Sequence, residues 1–354
     1  MSILSAFTRI KGRTFRYTVK KTSSVPAIEQ IAKKAGVSNA TVSRVINGQK
    51  IVSPPTFSKV SEAMKEMGYP LDSSTHVANI TQGIILFNVP TLENPFYHDI
   101  AMGAKKSANL HGYHCLINSQ DIDVLSLDQL TKMIRRTKIS GIIVTNHVAE
   151  DILNKLNMVT CVVQCCEYAA NCNLPFVSID DYAAARSAIQ HILSTGRRKI
   201  ALINGPTEYK YARERKRGYL SAMESAGIEP PESWQINVPS INFEIAYSSV
   251  IQLLSSSNPP DSFFTASDVF AAAAVKAAQQ IGLHVPNDIV IVGFDDLETA
   301  KMTSPTISSV KQPRYQMGYI ASEILLEKVK DPNTEPRKIL LASELIVRQS
   351  SSGF

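Results

Sequence analysis

The chain has 354 residues, of which 44% are hydrophobic and 19% are charged, and its formal net charge is +6. This composition is typical of a globular protein of about two or three domains, and it excludes a disordered or collagen-like chain. No apolar run approaches the ~18 residues that a membrane-spanning helix needs, so we expect no membrane partner.

Basic residues are concentrated at the N-terminal end. Residues 1–80 contain 12 Lys/Arg and 4 acids, whereas the remainder contains 25 Lys/Arg and 27 acids. Residues 1–24 contain six basic residues and no acid, and they lack the continuous apolar core of a secretory signal. We predict that they form a disordered basic arm that adds DNA phosphate contacts; a transit peptide and a misassigned start codon are the alternatives.

Residues 27–47 (AIEQIAKKAGVSNATVSRVIN) predict two short helices joined by a tight turn. Gly36 stands where a helix needs a left-handed end cap, and Ser38 stands where the second helix needs an N-cap. Helical spacing gives each helix an apolar face, made of Ile28, Ile31, Ala32, Val42, Val45 and Ile46. The outer face of the second helix is small and polar, and this arrangement is typical of a recognition helix in the DNA major groove.

A third helix is predicted over residues 57–67, with Val60, Ala63, Met64 and Met67 facing inward. Gly68 ends it, and residues 69–81 are polar enough to be a linker or hinge. The first globular unit is therefore an all-α helix-turn-helix domain over residues 25–68.

From Gln82 onward, short apolar runs alternate with amphipathic stretches in two successive series. Strand–helix alternation predicts parallel sheets with crossover helices, so residues 82–350 are predicted to form two doubly wound α/β subdomains. The predicted bounds are 82–178 with 306–330 for subdomain one, and 179–305 with 338–350 for subdomain two.

Four of the five cysteines, Cys161, Cys165, Cys166 and Cys172, lie close together in the sequence. They contain no C-x-x-C pair and no histidine, so a buried strand that runs into a loop is favoured over a zinc site. We expect no metal and no disulfide framework, which is consistent with a reducing cytoplasm.

The ordered pattern AGVSNATVSRVINGQKIVSPPT, followed by MGYP, resembles the DNA-binding domain of the lactose/galactose repressor family. The similarity extends over residues 27–350 through NPFYHDI, LINGP, FFTASDVFA, GLHVPNDIVIVGFDD and ELIVRQS. It implies a DNA-binding region followed by an effector domain of the periplasmic-binding-protein type. Around NPFYHDI, LPFVSID and QPRYQMG the chain is similar to family members that respond to cytidine.

The outward residues of the second helix are the candidate DNA contacts. A guanidinium bonds O6 and N7 of guanine together, so Arg44 is the candidate for a guanine, with a pure phosphate contact as the alternative. The resemblance implies that Asn39, Ala40 and Arg44 set sequence specificity. Backbone contacts are assigned to Thr41 and Ser43, and the full predicted set is Ser38, Asn39, Ala40, Thr41, Ser43, Arg44 and Asn47.

The sequence departs from the family pattern at two places. Pro26-Ala27 replaces the threonine that usually begins the first helix. The family also has a hinge helix with an A-x-x-L motif whose leucine wedges into the minor groove. Here the segment after Gly-Tyr is about four residues shorter, and no leucine follows Leu71, so Val77 or Ile80 would have to replace it.

Candidate effector contacts come from loops at the carboxyl ends of the strands. Phe96 and Tyr97 would stack on a planar ligand, and core packing is the alternative for Phe96. The resemblance places Arg215, Asp268 and Asp295 at polar positions of the cleft and Phe243 at an aromatic one. Helix capping is the alternative for Asp268 and Asp295, since each lies at a strand-to-helix turn.

No motif of a hydrolase nucleophile, phosphate loop or zinc protease occurs, so we expect no catalytic residues and no cofactor. The sequence predicts a transcription regulator, acting as a repressor, that binds a double-stranded operator as a homodimer. A nucleoside such as cytidine is the first choice of effector, and a sugar is the second. A solute-binding module without a regulatory role is the remote alternative.

Overall fold

The computed structural model describes residues 4–10, 13–19, 28–46, 52–67 and 82–352. The chain divides into two compact units, Met1–Ile80 and Thr81–Phe354. In the first unit, strands β1 (Leu4–Ile10) and β2 (Arg13–Val19) pair antiparallel. Both strands lie within residues 1–24, for which the sequence predicted a disordered arm, and both contain aromatic and β-branched residue types that favour strands.

Three helices follow, α1 (Ile28–Ala35), α2 (Asn39–Ile46) and α3 (Pro54–Glu66). Their shared core consists of Ile31, Ala32, Val42, Val45, Val60, Ala63 and Met64. Ile28, the first residue of α1, was predicted to join it but is 40% exposed. The third helix begins at Pro54 instead of Phe57, since proline is tolerated in a first helical turn and Ser53 precedes it.

The turn between α1 and α2 forms as the sequence predicts. Gly36 has a φ of +66°, the left-handed conformation in which a residue without a Cβ is favoured. The N–H of Val37 donates to the carbonyl of Ala32 at 3.0 Å, which closes the end of α1. The linker at 69–81, including Leu71, Val77 and Ile80, lies outside the described residues.

The second unit contains two six-stranded sheets. The first sheet has the order β13-β7-β6-β5-β3-β4 and is parallel throughout. Its strands are β3 (Gly83–Val89), β4 (Tyr113–Ser119), β5 (Ile139–Val144), β6 (Cys161–Cys165), β7 (Phe176–Ile179) and β13 (Lys338–Leu341). The helices of this half are α4 (Phe96–Leu110), α5 (Leu127–Thr137), α6 (Glu150–Asn157) and α12 (Arg314–Lys330).

The second sheet has the order β14-β12-β11-β10-β8-β9, with only the edge strand β14 antiparallel. Its strands are β8 (Ile200–Asn204), β9 (Gln235–Asn237), β10 (Ser262–Thr265), β11 (Val290–Asp295), β12 (Ser308–Lys311) and β14 (Glu344–Ile346). Its helices are α7 (Asp181–Ser194), α8 (Lys210–Ser225), α9 (Phe243–Leu254), α10 (Asp268–Gln280) and α11 (Glu298–Met302).

The two predicted return segments are wrong in part. Strand β12 lies within 306–330 but pairs with β11 in the second sheet, and β13 lies within 338–350 but pairs with β7 in the first. The chain therefore crosses between the halves three times, after β7, after β12 and after β13. Short strands without a marked apolar run gave the sequence no basis for this exchange.

Helix α12 is the main link between the late and early parts of the first half. It packs on α4 so closely that a Cβ on Gly318 would lie 1.8 Å from the carbonyl oxygen of Ile100. A Cβ on Gly103 would likewise lie 2.0 Å from the carbonyl oxygen of Tyr315. Glycine at both crossing points therefore lets the two helix backbones touch.

Candidate functional site

Helix α2 presents small and polar side chains on its outer face. Asn39, Ala40 and Arg44 are exposed, whereas Val42 and Val45 are buried against the other two helices. The three residues predicted to read DNA bases thus share the face that the three-helix core leaves uncovered.

The start of α2 is fixed by Ser38, as predicted. Its Oγ accepts the backbone N–H of Thr41 at 3.2 Å and lies 2.9 Å from the Thr41 Oγ1. Thr41 and Ser43 are half-buried, and Asn47 lies outside the described residues. An anion is favoured near a helix N-terminus, so this end of α2 is suited to a DNA phosphate.

In the second unit, a cavity of about 430 Å³ lies at the carboxyl ends of the parallel strands of both sheets. This is where doubly wound folds place ligands. Loops after β3, β4, β5 and β6 supply one wall, and loops after β8, β10 and β11 supply the other. The lining includes Glu93, Asn94, Phe96, Tyr97, Asp121, Glu167, Asp181, Glu208, Tyr211, Arg215, Asn242, Asp295 and Gln312.

Arg215 is held rigidly in the cavity wall. Its Nε donates to Oδ1 of Asp181 at 2.8 Å, and its Nη1 donates to the carbonyl of Ala266 at 2.6 Å. The guanidinium carbon lies 3.4 Å from the centre of the Phe294 ring and 4.9 Å from that of Tyr211. Stacking and two charge-assisted bonds orient the planar group and leave Nη2 for a ligand.

Asp295 lies opposite this guanidinium, with Oδ1 3.7 Å from Arg215 Nη1. The same oxygen accepts from Gln312 Nε2 at 2.7 Å. Burial raises the pKa of Asp295 to about 6, although the charges of Arg215 and Arg314 oppose the shift. Its φ of +104° is unusual for a residue with a side chain, and such backbone conformations concentrate at functional sites.

Glu167 connects the two halves at the cavity. Its carboxylate follows β6 of the first half and accepts the backbone N–H groups of Lys210 and Tyr211, at 2.5 and 3.1 Å. These are the first two residues of α8, so Glu167 occupies a helix N-terminus of the second half. Desolvation raises the pKa of Glu167.

Lys210 is buried behind this wall and completes an ionic cluster. Its Nζ donates to Oδ2 of Asp181 at 2.6 Å and to Oγ of Ser178 at 2.9 Å. Although burial of Asp181 opposes ionisation, Arg215 and Lys210 hold its pKa below the usual value. Asp181 therefore remains ionised and uses both oxygens to orient two cations.

Four of the six predicted effector residues line the cavity, namely Phe96, Tyr97, Arg215 and Asp295. The Phe96 and Tyr97 rings meet edge to face, with centroids 5.3 Å apart. Phe96 also belongs to the hydrophobic core, so its side chain both lines the cavity and packs in the core.

The structure does not place Phe243 or Asp268 in the lining. Phe243 stacks on Tyr247 at the start of α9, and its neighbour Asn242 lines the cavity instead. Asp268 is fully buried and accepts from Ser309 Oγ at 2.6 Å and from the N–H of Leu297 at 2.7 Å. Its carboxyl joins loops of the second sheet, and the N-cap of its own helix is Ser267.

Sequence reasoning missed Asp181, Glu167 and Lys210. The sequence does contain a signal for the first, because the pair Asp180-Asp181 follows a strand directly. Asp180 caps α7 by accepting the N–H of Ala183, which leaves Asp181 for the cavity wall. For Glu167 and Lys210 no spacing could have indicated the contact, since they meet only when the halves come together.

All five cysteines have free thiols, and strand β6 carries Cys161 and Cys165 as predicted. Among the residues that the structure describes, no group of three or more His, Cys, Asp or Glu side chains is arranged to hold a metal ion. Within the same residues, no helix is both long and apolar enough to cross a membrane.

Comparison with known proteins places both units. Residues 27–70 match the family described as bacterial regulatory proteins, lacI family, and residues 189–351 match a periplasmic binding protein-like domain. The HTH-type transcriptional repressor CytR of Escherichia coli (strain K12) is 31% identical over 94% of this chain and 98% of its own length. The chain belongs to the lacI family.

Further lacI-family relatives agree. The ribose operon repressor of Halalkalibacterium halodurans is 30% identical over 92% of this chain and 97% of its own. A structure of the transcriptional regulator CelR in complex with cellobiose superposes with a TM-score of 0.70 at 28% identity, covering 92% of this chain and 99% of CelR. The lac repressor dimer bound to operator shares the fold, with a TM-score of 0.75 at 22% identity over 92% of this chain and 99% of its own.

Membership of the lacI family establishes the class of function. The α1–α2 pair is its DNA-binding helix-turn-helix, and the two-sheet unit is its periplasmic-binding-protein-like ligand-binding domain. The relatives are transcriptional repressors, so this chain is a regulator and not an enzyme.

Proposed function

We propose that the protein is an effector-responsive repressor that binds its operator through the outer face of α2. Asn39, Ala40 and Arg44 read bases in the major groove, and Ser38, Thr41, Ser43 and Asn47 contact the backbone. One recognition helix covers only a few base pairs, so two copies are needed for a specific site. A homodimer with two-fold symmetry then requires a near-palindromic operator.

The effector site is the cavity between the two halves of the second unit. The observation that carries this assignment is the guanidinium of Arg215, fixed by Asp181 and Phe294 at the cavity wall opposite Asp295. A preorganised donor facing a buried carboxyl binds hydroxyl or amine groups by charge-assisted hydrogen bonds. Phe96 and Tyr97 provide aromatic surface beside it.

A nucleoside, with cytidine as the first candidate, suits this combination of aromatic rings and paired polar groups. The similarity of NPFYHDI, LPFVSID and QPRYQMG to cytidine-responsive family members supports it. A sugar is the second candidate, because the relatives include a ribose operon repressor and a regulator bound to cellobiose. Aromatic rings, aspartates and arginine also serve sugar sites, so the two candidates need an experiment.

Calorimetry of the full-length protein with cytidine, uridine, adenosine, ribose, glucose and cellobiose decides between them. We expect micromolar binding of a nucleoside and much weaker binding of the sugars. Micromolar binding of a sugar with no binding of any nucleoside would replace the first candidate by the second. As a control, Asp180→Asn should bind the same ligand as the unmodified protein does. Asparagine caps a helix as well as aspartate, and the side chain is exposed.

A further inference from the structure

We propose that the effector cavity excludes phosphate esters, so that the protein responds to an unphosphorylated nucleoside or sugar and not to its phosphorylated form. The inference rests on the proposed effector site. It concerns the charge of the ligand and holds for either ligand class. Three properties of the cavity lead to it: helix N-termini capped by side chains, a cation whose Nε and Nη1 already donate to the protein, and an acidic entrance.

The helix N-termini at the cavity are already occupied. A helix N-terminus is the usual seat of a phosphate in this kind of fold, because its free N–H groups point at the ligand. Here Glu167 accepts the first N–H groups of α8. Asn94 Oδ1 accepts the N–H of Phe96 at the start of α4, and Asn242 Oδ1 accepts that of Ile245 in α9. A phosphate at any of these helix ends would compete with a side-chain oxygen that already accepts one or two of the N–H groups.

Among the residues that the structure describes, the cavity lining offers no cation with two free donors on one edge. The lining contains six carboxylic acids and one basic side chain, Arg215. That guanidinium already donates to Asp181 and to the Ala266 carbonyl, and it lies near Asp295. Lys210 is committed to Asp181 and Ser178 behind the wall. Bidentate binding of a phosphate needs two N–H donors on one edge of a guanidinium, and each edge of Arg215 includes Nε or Nη1, which already donate to Asp181 and Ala266.

The outer part of the lining adds unpaired negative charge. Glu93, Asp121 and Glu208 are exposed, and none of them forms an ion pair within the part of the chain that the structure describes. Arg213 lies nearby, but its Nη1 donates to the carbonyl of Thr207 at 3.2 Å and it is not part of the lining. Charges of one sign around a cleft with low-dielectric walls repel an anion of the same sign.

The test compares matched pairs by calorimetry of the full-length protein at fixed ionic strength. The pairs are cytidine with cytidine 5′-monophosphate, adenosine with adenosine 5′-monophosphate, and ribose with ribose 5-phosphate. For the pair whose neutral member binds, we expect the phosphate ester to bind about 100-fold more weakly, which corresponds to ~2.7 kcal/mol. A difference below tenfold, or an ester that binds when its neutral partner does not, would overturn the inference.

A triple variant tests the acidic entrance directly. In Glu93→Gln/Asp121→Asn/Glu208→Gln we expect the affinity for the ester, relative to that for its neutral partner, to rise about tenfold, roughly 1.4 kcal/mol. Asp128→Asn, which removes one exposed carboxylate on α5 away from the cavity, should change neither. An unchanged ester affinity in the triple variant would show that these carboxylates do not exclude phosphate.

A titration with inorganic phosphate, followed by phosphorus NMR, tests the exclusion of phosphate without assuming that any effector is correct. If no member of any pair binds, the nucleoside or sugar effector is wrong. The phosphate titration then decides alone. Saturable line broadening that persists when excess duplex DNA occupies the DNA-binding unit would overturn the exclusion of phosphate from the cavity, and its absence would support it.

Discussion

At the scale of single residues, a change at Arg44 should separate sequence-specific DNA binding from non-specific DNA binding. Arg44→Ala removes a bidentate base contact, so we expect a loss of about 1–3 kcal/mol of discrimination between operator and unrelated DNA. Effector binding should be unchanged. Gel shifts with operator and with scrambled DNA measure the ratio.

Lys59→Ala is the matched control for this prediction, since Lys59 is an exposed cation of α3 in the same three-helix unit. Its removal should weaken binding to both DNAs alike, because phosphate contacts carry no sequence information. The role assigned to Arg44 is wrong if its variant behaves as Lys59→Ala does.

Asp181 neutralises the two buried cations Lys210 and Arg215, and the stability of the fold should depend on it. Asp181→Asn leaves Lys210 and Arg215 without their shared carboxylate, and breaking a buried ion pair costs about 3–5 kcal/mol of unfolding free energy. Urea unfolding at neutral pH measures this loss. Asp180→Asn, one position earlier, should unfold like the unmodified protein, because its side chain is exposed and asparagine also caps α7. Equal destabilisation by both variants would contradict the ionic cluster.

The ionisation of Asp295 predicts how effector binding depends on pH. The folded-state pKa of about 6 lies above the ordinary value, so Asp295 takes up a proton in the folded protein as the pH falls through 6. A ligand that donates to its carboxylate then loses affinity below pH 6, by up to about tenfold per pH unit, and reaches a plateau above pH 7.

The raised pKa of Asp295 also contributes to the free energy of unfolding. The contribution is present at low pH and is lost as the pH rises through 6. Calorimetric titrations between pH 5 and 8 measure the affinity profile. Asp295→Asn should bind weakly and independently of pH. A profile that is flat in the unmodified protein would exclude Asp295 as the acceptor.

At the scale of elements, the α4–α12 contact depends on glycine. Gly318→Ala places a methyl group against the Ile100 carbonyl, so we expect a loss of about 1–3 kcal/mol or more from overpacking. Thermal unfolding measures it. Ser322→Ala, one turn further along α12, is the control. Its buried Oγ has no hydrogen-bond partner in the described part of the chain, so the change should be neutral or stabilising.

The sequence predicted elements better than it predicted their assembly. Long amphipathic stretches such as Phe243–Leu254 gave correct helix bounds, and Gly36 and Ser38 gave the correct turn. Strands β7, β12 and β13 were missed, because four-residue strands have too few positions to show a period.

The candidate site divides along the same line. Phe96, Tyr97, Arg215 and Asp295 follow from strand-end position and family resemblance, and all four line the cavity. Glu167 and Lys210 become neighbours only through the packing of separate halves, so no local pattern indicates them. Asp268 has the residue type expected of a ligand contact, and only its burial reveals that it bonds to the protein.

At the scale of the whole molecule, effector and operator binding should be coupled through the relative position of the two halves. A ligand shifts a conformational equilibrium only by its differential affinity for the two states. Coupling is reciprocal, so operator should change effector affinity by the same factor that effector changes operator affinity.

Effector titrations with and without operator measure that factor, and sedimentation of the complex measures whether two copies bind each site. Glu167→Gln weakens a contact between the halves, so it should change the coupling factor more than the affinity of the isolated effector site. Equal effector affinities in the presence and absence of operator would show that the two sites act independently.

The three crossings between the sheets have a consequence for synthesis of the chain on the ribosome. Sheet one is completed by β13 and covered by α12, and sheet two is completed by β14, all within the last forty-odd residues. The core cluster that contains Met317, Ala321 and Leu325 cannot be completed until α12 has left the ribosome. A nascent chain stalled before residue 314 would expose the face of the first sheet that α12 covers to aggregation and to proteases. Premature termination in this gene should therefore yield degraded protein and not a dominant fragment that occupies the operator.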